Sequence, residues 1–112
     1  MKKIEAIVRP EKLEALKEAP LTAGIGGMSV SEMRGCGNQH GWKEYFRGSE
    51  VLVNTVPKLK FEIVVADDEV DATVEVLVAT ARTGCVGDGK IFVMPIEEVV
   101  RIRTGERGAV AV

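Results

Sequence analysis

The sequence predicts an α+β fold assembled from two β-α-β halves, on three observations. Residues 57–66 (PKLKFEIVVA) are the clearest strand: Leu59, Phe61, Ile63 and Val65 point one way, and Lys58, Lys60 and Glu62 the other. Residues 3–9 (KIEAIVR) alternate likewise through Ile4, Ala6 and Val8; both are half-buried strands. Each is followed by a stretch near helical spacing, Leu13, Leu16 and Ala19 in the first and Val70, Val74, Leu77 and Ala81 in the second.

The remaining elements fall between these. Pro10 closes the first strand, and its fixed φ suits the first turn of a helix. That helix, over 11–19, is expected to end or kink at Pro20, which lacks an N–H and clashes one turn back. Gly24, Gly26 and Gly27 form a turn, and 28–35 (MSVSEMRG) reads as a strand with Met28 and Val30 on one face. Asp67 or Asp68 caps the second helix, and Gly84 ends it. Residues 90–94 (KIFVM) form a strand, and a turn at Pro95 leads to a last one over 98–103 (EVVRIR). This order matches the ferredoxin-like split βαβ plan. Its helices cover one sheet face; the other mixes Lys58 and Glu62 with Val64 and is open to burial in an oligomer.

Composition narrows the function classes. The chain has 112 residues, 46% hydrophobic and 29% charged, which fits one globular domain and excludes wholesale disorder. No apolar run approaches the ~20 residues of a membrane span, and residues 1–12 show no apolar core of a secretory signal. A net charge of −2 argues against bulk affinity for nucleic acid. Cys36 and Cys85 form no C-x-x-C pair and His40 is the single histidine, so metal ligation is poorly supplied. Two free thiols in a reducing cytoplasm is the reading.

Three segments stand out. Residues 37–56 (GNQHGWKEYFRGSEVLVNTV) show no sustained period between two good strands, and structureless loops this long are functional or mobile. Trp42, Tyr45 and Phe46 lie there with Arg47, the residue types that anchor interfaces. The alternatives are direct recognition of a partner, or a hairpin whose aromatics fold back onto the sheet. Second, Gly84 to Lys90 fits the first seven positions of G-x-x-x-x-G-K, but Ile91 replaces the metal-binding Ser/Thr. A helix precedes the segment and a strand follows, the reverse of a P-loop. A plain glycine-rich turn and an anion nest with Lys90 beside it both remain open. Third, Arg101 and Arg103 would share one face of a strand, as a solvated face or as an anion site. Together with Lys90 they would suit a nucleotide polyphosphate. No catalytic Ser/His/Asp, Cys/His or paired-carboxylate set has local support.

The sequence resembles the PII family of nitrogen-signalling proteins over nearly its whole length. The likeness runs from Met1-Lys2-Lys3-Ile4-Glu5-Ala6-Ile7-Val8-Arg9-Pro10 through Gly27-Met28-Ser29-Val30 and Arg47-Gly48. Its most specific blocks are Val86-Gly87-Asp88-Gly89-Lys90-Ile91-Phe92-Val93 and Arg101-Ile102-Arg103-Thr104-Gly105-Glu106-Arg107. The resemblance implies a homotrimer with nucleotide sites in clefts between subunits, where ATP and ADP compete and 2-oxoglutarate joins through Mg2+ held by ATP. It implies that Gly87, Asp88, Gly89 and Lys90 cradle phosphates beside Arg101, Arg103 and Asn38. Ser29, Gly35, Gly37 and Val64 would line the nucleotide pocket. Gln39 would ligate Mg2+ and 2-oxoglutarate, and Arg9, Lys58 and Gly87 would approach the latter.

The implied layout is a T-loop at about 37–56, a B-loop at about 82–90 and a C-terminal segment at about 101–112. Trp42, Tyr45, Phe46, Arg47 and Gly48 would meet the target. That target is expected to be an ammonium transporter, with glutamine synthetase or a nitrogen transcription regulator as further candidates and no nucleic acid. The protein would be cytoplasmic and recruited reversibly to the membrane. A slow ATP phosphohydrolase on the same site is the alternative function. Asn38 stands where relatives often carry arginine, Val51 where many carry a uridylylated tyrosine, and Ser49 matches a serine phosphorylated in some.

Overall fold

Alternation becomes pairing in the structure, a computed structural model that describes residues 1–35, 42–46, 49–53 and 55–112, with 42–46 and 49–53 described by backbone alone. The order is β1 (Lys2–Val8), α1 (Leu13–Thr22), β2 (Met28–Gly35), β3 (Trp42–Phe46), β4 (Ser49–Val53), β5 (Val56–Val65), α2 (Val70–Ala81) and β6 (Lys90–Pro95). Strands β2-β5-β1-β6 form one antiparallel sheet. With two helices returning the chain between its halves, this is the ferredoxin-like α+β plan.

The core lies where period-2 and period-3.6 residues meet. Ile4, Ala6 and Val8 of β1 and Leu59, Phe61, Ile63 and Val65 of β5 are buried on one face, under Leu16 of α1 and Leu77 and Ala81 of α2. Val70 and Val74 pack against this core half-buried, and Thr73 is buried with its hydroxyl on the Glu69 carbonyl at 2.8 Å. Among the described residues no helix covers the opposite face. Lys3 bridges Glu62 at 2.9 Å and Glu5 at 3.1 Å, and Lys60 reaches Glu62 at 3.3 Å. On the same face, register places Phe92, 45% exposed, opposite Glu5.

Several expectations are corrected. Pro20 does not end its helix; α1 runs on to Thr22 with Pro20 fully buried. The proline stands in the last turn, where its ring fills the core. Its carbonyl accepts the Ile25 N–H at 2.9 Å, Leu21 accepts that of Gly24 at 3.0 Å, and Gly24 sits at φ +81°. This is a Schellman closure, with Ile25 packing back on the core.

Neither Asp67 nor Asp68 caps α2 with its side chain; a 3-10 turn over Asp67–Glu69 leads in. Asp67 instead takes the N-terminal ammonium at 2.8 Å and Lys2 at 3.7 Å. The helix ends at Ala81 on an extended Arg82, so Gly84 is a loop residue, not the stop.

Residues 98–103 form no strand. Val100 makes a single bridge to Arg107, Arg101 donates its N–H to Glu106 at 2.9 Å, and Gly105 turns the chain at φ +73°. Glu98 takes the Gly108 N–H at 3.1 Å. Local pairing with its own return outcompetes pairing with the β6 edge, so Arg101 and Arg103 are not neighbours on a strand face.

The segment 37–56 holds a two-stranded ribbon, with Trp42 opposite Val53 and Phe46 opposite Ser49. Its hairpin character therefore stands in place of a structureless loop.

Candidate functional site

The glycine-rich segment 83–89 is shaped by one carboxylate. Asp88 Oδ2 accepts the N–H groups of Thr83 and Gly84, both at 2.8 Å. Asp88 Oδ1 accepts Arg9 Nε at 3.0 Å and the Thr83 hydroxyl in a very short bond. Thr83 Oγ1 also accepts the Cys85 N–H at 3.2 Å. The Thr83 hydroxyl and N–H, then Arg9, hold the Asp88 carboxyl far below the usual carboxylate range.

Two cations grip the loop from the ends of the central strands. Arg9, just past β1, donates Nη2 to the Val86 carbonyl at 2.7 Å. Lys58, early in β5, donates Nζ to the Gly87 carbonyl at 2.6 Å. Gly84, Gly87 and Gly89 all take positive φ, which L side chains rarely adopt. Among the described residues the Lys90 ammonium and the Arg103 guanidinium have no hydrogen-bond or ion-pair partner. Positive-φ glycines, with the Val86 and Gly87 carbonyls bonded and a lysine beside them that has no partner among the described residues, are the makings of an anion nest.

A cavity of about 330 Å³ opens beside Lys58, with Arg34 and Pro10 in its wall. Arg34 Nε donates to Thr55 Oγ1 at 3.2 Å, tying β2 to the start of β5 at the neck of the 37–56 segment. Gly35 lies there too, opposite Val56, where a β-carbon would meet Lys58 Cγ at 3.5 Å.

The structure thus brings together Arg9, Lys58, Gly35, Gly87 and Asp88. It separates others. Ser29 pairs with Glu62 and Val64 with Lys3, which puts Val64 about 20 Å along β5 from Lys58. Lys90 is opposite Ile7 at one end of β1, whereas Pro95 is opposite Lys2 at the other, and the chain reaches Arg101 and Arg103 only after that. Arg101 Nη1 turns to Glu106 at 3.4 Å. Gly37, Asn38, Gln39, His40, Arg47 and Gly48 lie outside the described residues, as do the side chains of Trp42, Tyr45, Phe46, Ser49 and Val51.

Sequence reasoning gave no role to Thr83, Arg34 or Thr55. The Thr83–Asp88 pairing had a signal, since Thr and Asp in turns bond nearby backbone; Arg34 and Thr55 had none.

The fold is a ferredoxin-like α+β domain, with a glycine-rich loop latched at the end of its central strands. The comparisons give its lineage. The family model described as Nitrogen regulatory protein P-II matches residues 1–106. Proteins bearing that printed name are 58% identical in Microchaete diplosiphon and 56% in Synechocystis, each over the full length of both chains. A "Nitrogen regulatory protein P-II 2" of Methanothermobacter thermautotrophicus is 54% identical over all of this chain and 97% of its own. The chain belongs to the P-II family of nitrogen regulatory proteins. No helix among the described residues is long and apolar enough to cross a membrane.

Proposed function

We propose that this chain is a sensor that binds ATP or ADP at the 83–90 segment, takes up 2-oxoglutarate beside it, and reports occupancy to a target protein through the 37–56 segment. The observation that carries this reading is the latched loop, whose Val86 and Gly87 carbonyls are held by Arg9 and Lys58 while Lys90 has no partner among the described residues. An anion with several negative oxygens suits that arrangement. Arg101 and Arg103 complete the phosphate site from a second copy. Lys90 is on edge strand β6 and Ser29 on edge strand β2, so a head-to-tail contact joins unlike edges and closes into a ring. Three copies follow from the family resemblance. The helix-free face with Phe92 and the Lys3–Glu62 pair would then turn inward.

Gln39, outside the described residues, would be the residue to hold the Mg2+ that accompanies ATP, because an amide oxygen is a hard ligand of the kind Mg2+ takes. Arg9 and Lys58, at the 330 Å³ cavity or next to it, offer the cations a dicarboxylate needs. Each ligand biases the target-binding segment by its differential affinity for that segment's states. An ammonium transporter is the target the resemblance favours, reached from the cytoplasm. Calorimetry tests the reading: ATP binds the purified protein, and 2-oxoglutarate binds only when Mg-ATP is present. Equal 2-oxoglutarate affinity with ADP or with no nucleotide would sink it.

A further inference from the structure

The geometry points to Asp88 as a positioning residue: its carboxylate closes residues 83–88 on themselves so that the backbone N–H groups of Gly87 and Asp88 face an incoming phosphate. This rests on the nucleotide reading above, but assigns the Asp88 side chain a different part from that of a phosphate or metal ligand.

The carboxylate is fully used within the chain. An ionised carboxylate has about four lone-pair sites, and four donors already occupy them: Thr83 N–H, Gly84 N–H, the Thr83 hydroxyl and Arg9 Nε. No site is left for a cation, and Arg9 offsets the charge that would otherwise repel a phosphate.

The direction of the Gly87 and Asp88 amides, unbonded among the described residues, follows from the planar trans peptide, in which C=O and N–H point opposite ways. The Val86 carbonyl is held by Arg9 Nη2 at 2.7 Å, so the Gly87 N–H of the same peptide points away from Arg9. The Gly87 carbonyl is held by Lys58 Nζ at 2.6 Å, so the Asp88 N–H points away from Lys58. Two successive amides are turned outward because two successive carbonyls are drawn inward. Arg9 holds Val86 and Asp88 at once, so the Asp88 carboxylate fixes the guanidinium that fixes the peptide.

The experiment uses the intact chain in its native assembly, with Asp88→Asn, Thr83→Val and Thr83→Ser. Titrations with ATP and ADP, each with and without Mg2+, are paired with hydrogen exchange of the 83–88 amides. Asp88→Asn should weaken both nucleotides about tenfold or more, with and without Mg2+, the order of one charge-assisted hydrogen bond. It should speed exchange at Thr83 and Gly84 while the sheet stays protected. Thr83→Val should share both effects, and Thr83→Ser, which keeps the hydroxyl, should restore wild-type behaviour. The signs discriminate. If Asp88 is only a nearby negative charge, removing it tightens ATP; if it ligates Mg2+, the loss appears with Mg2+ alone. Either result overturns the proposal. Should the wild type bind no nucleotide, the nucleotide reading falls and takes the phosphate part of this one with it. The exchange comparison then still judges the clasp, and unchanged exchange in Asp88→Asn overturns it outright.

Discussion

Gly89 crosses the end of β1 so closely that a β-carbon on it would stand 1.7 Å from the carbonyl oxygen of Ile7. That oxygen is backbone in a central strand and cannot step aside, and Gly89 is also at φ +103°. Gly89→Ala therefore has to move the whole 83–89 segment off the sheet. We expect a loss of about 3 kcal/mol in urea unfolding, from overpacking and strained backbone together. A midpoint equal to wild type would mean the close approach is not rigid.

The proposed sharing of the phosphate site between copies makes a complementation prediction. Lys90→Ala and Arg103→Ala should each weaken ATP by about 1.5–3 kcal/mol, the range for hydrogen bonds to charged groups. When the two variants are unfolded together and reassembled in equal amounts, about a quarter of the sites should regain wild-type affinity, because one copy supplies Lys90 and its neighbour Arg103. If no tight sites return, both residues act within one chain or not at all.

Ligand linkage gives a quantitative check. Whatever factor Mg-ATP contributes to 2-oxoglutarate affinity, 2-oxoglutarate must return to ATP. Lys58→Met should abolish 2-oxoglutarate uptake and loosen the Gly87 carbonyl that Lys58 now holds at 2.6 Å. Undiminished 2-oxoglutarate binding in that variant would remove Lys58 from the site.

Acid should unfold the domain through three depressed carboxyls. Asp88 is held low by Thr83, then Arg9; Asp67 by the N-terminal ammonium, then Lys2; Glu62 by Lys3, then Lys60. Because the folded-state values lie below the unfolded ones, near 4, the unfolded chain binds more protons as pH falls. Their contribution is complete above about pH 5 and is lost progressively as pH drops toward the folded values. The urea midpoint should fall between pH 5 and pH 3, and Asp88→Asn should flatten that fall. A midpoint independent of pH there would show that these pairs contribute nothing.

At the target end, Arg47→Ala should abolish inhibition of an ammonium transporter in vesicles while ATP and 2-oxoglutarate binding persist. Arginine offers five donors to carbonyls at a pore mouth, and its charge opposes a cation's passage. Continued inhibition by the variant would redirect attention to glutamine synthetase or a transcription regulator.

What could be read from the chain depended on whether the deciding partner was near in sequence. β5 and α2 were legible because burial repeats along them every second or every third to fourth residue. Residues 98–103 looked like a strand, yet a strand is defined by its partner, and Glu98 and Gly105 gave the segment a local one. The G-x-x-x-x-G-K likeness located the loop correctly. The direction of the Asp88 carboxylate was hidden, because Arg9 is 79 positions away and only the fold joins them. Likewise, Lys90 and Arg103 look like one cluster in sequence order, but β6 carries the chain away from Lys90 before Arg103 is reached.

Among the described residues the β3–β4 ribbon pairs with itself, as a sheet separate from the main one. Two-stranded hairpins add little stability of their own in water. The pairing of this ribbon therefore contributes little to the folding equilibrium of the domain. Under the proposed function, a segment on which the main sheet does not lean is one whose conformation a bound ligand can bias at little cost to the fold.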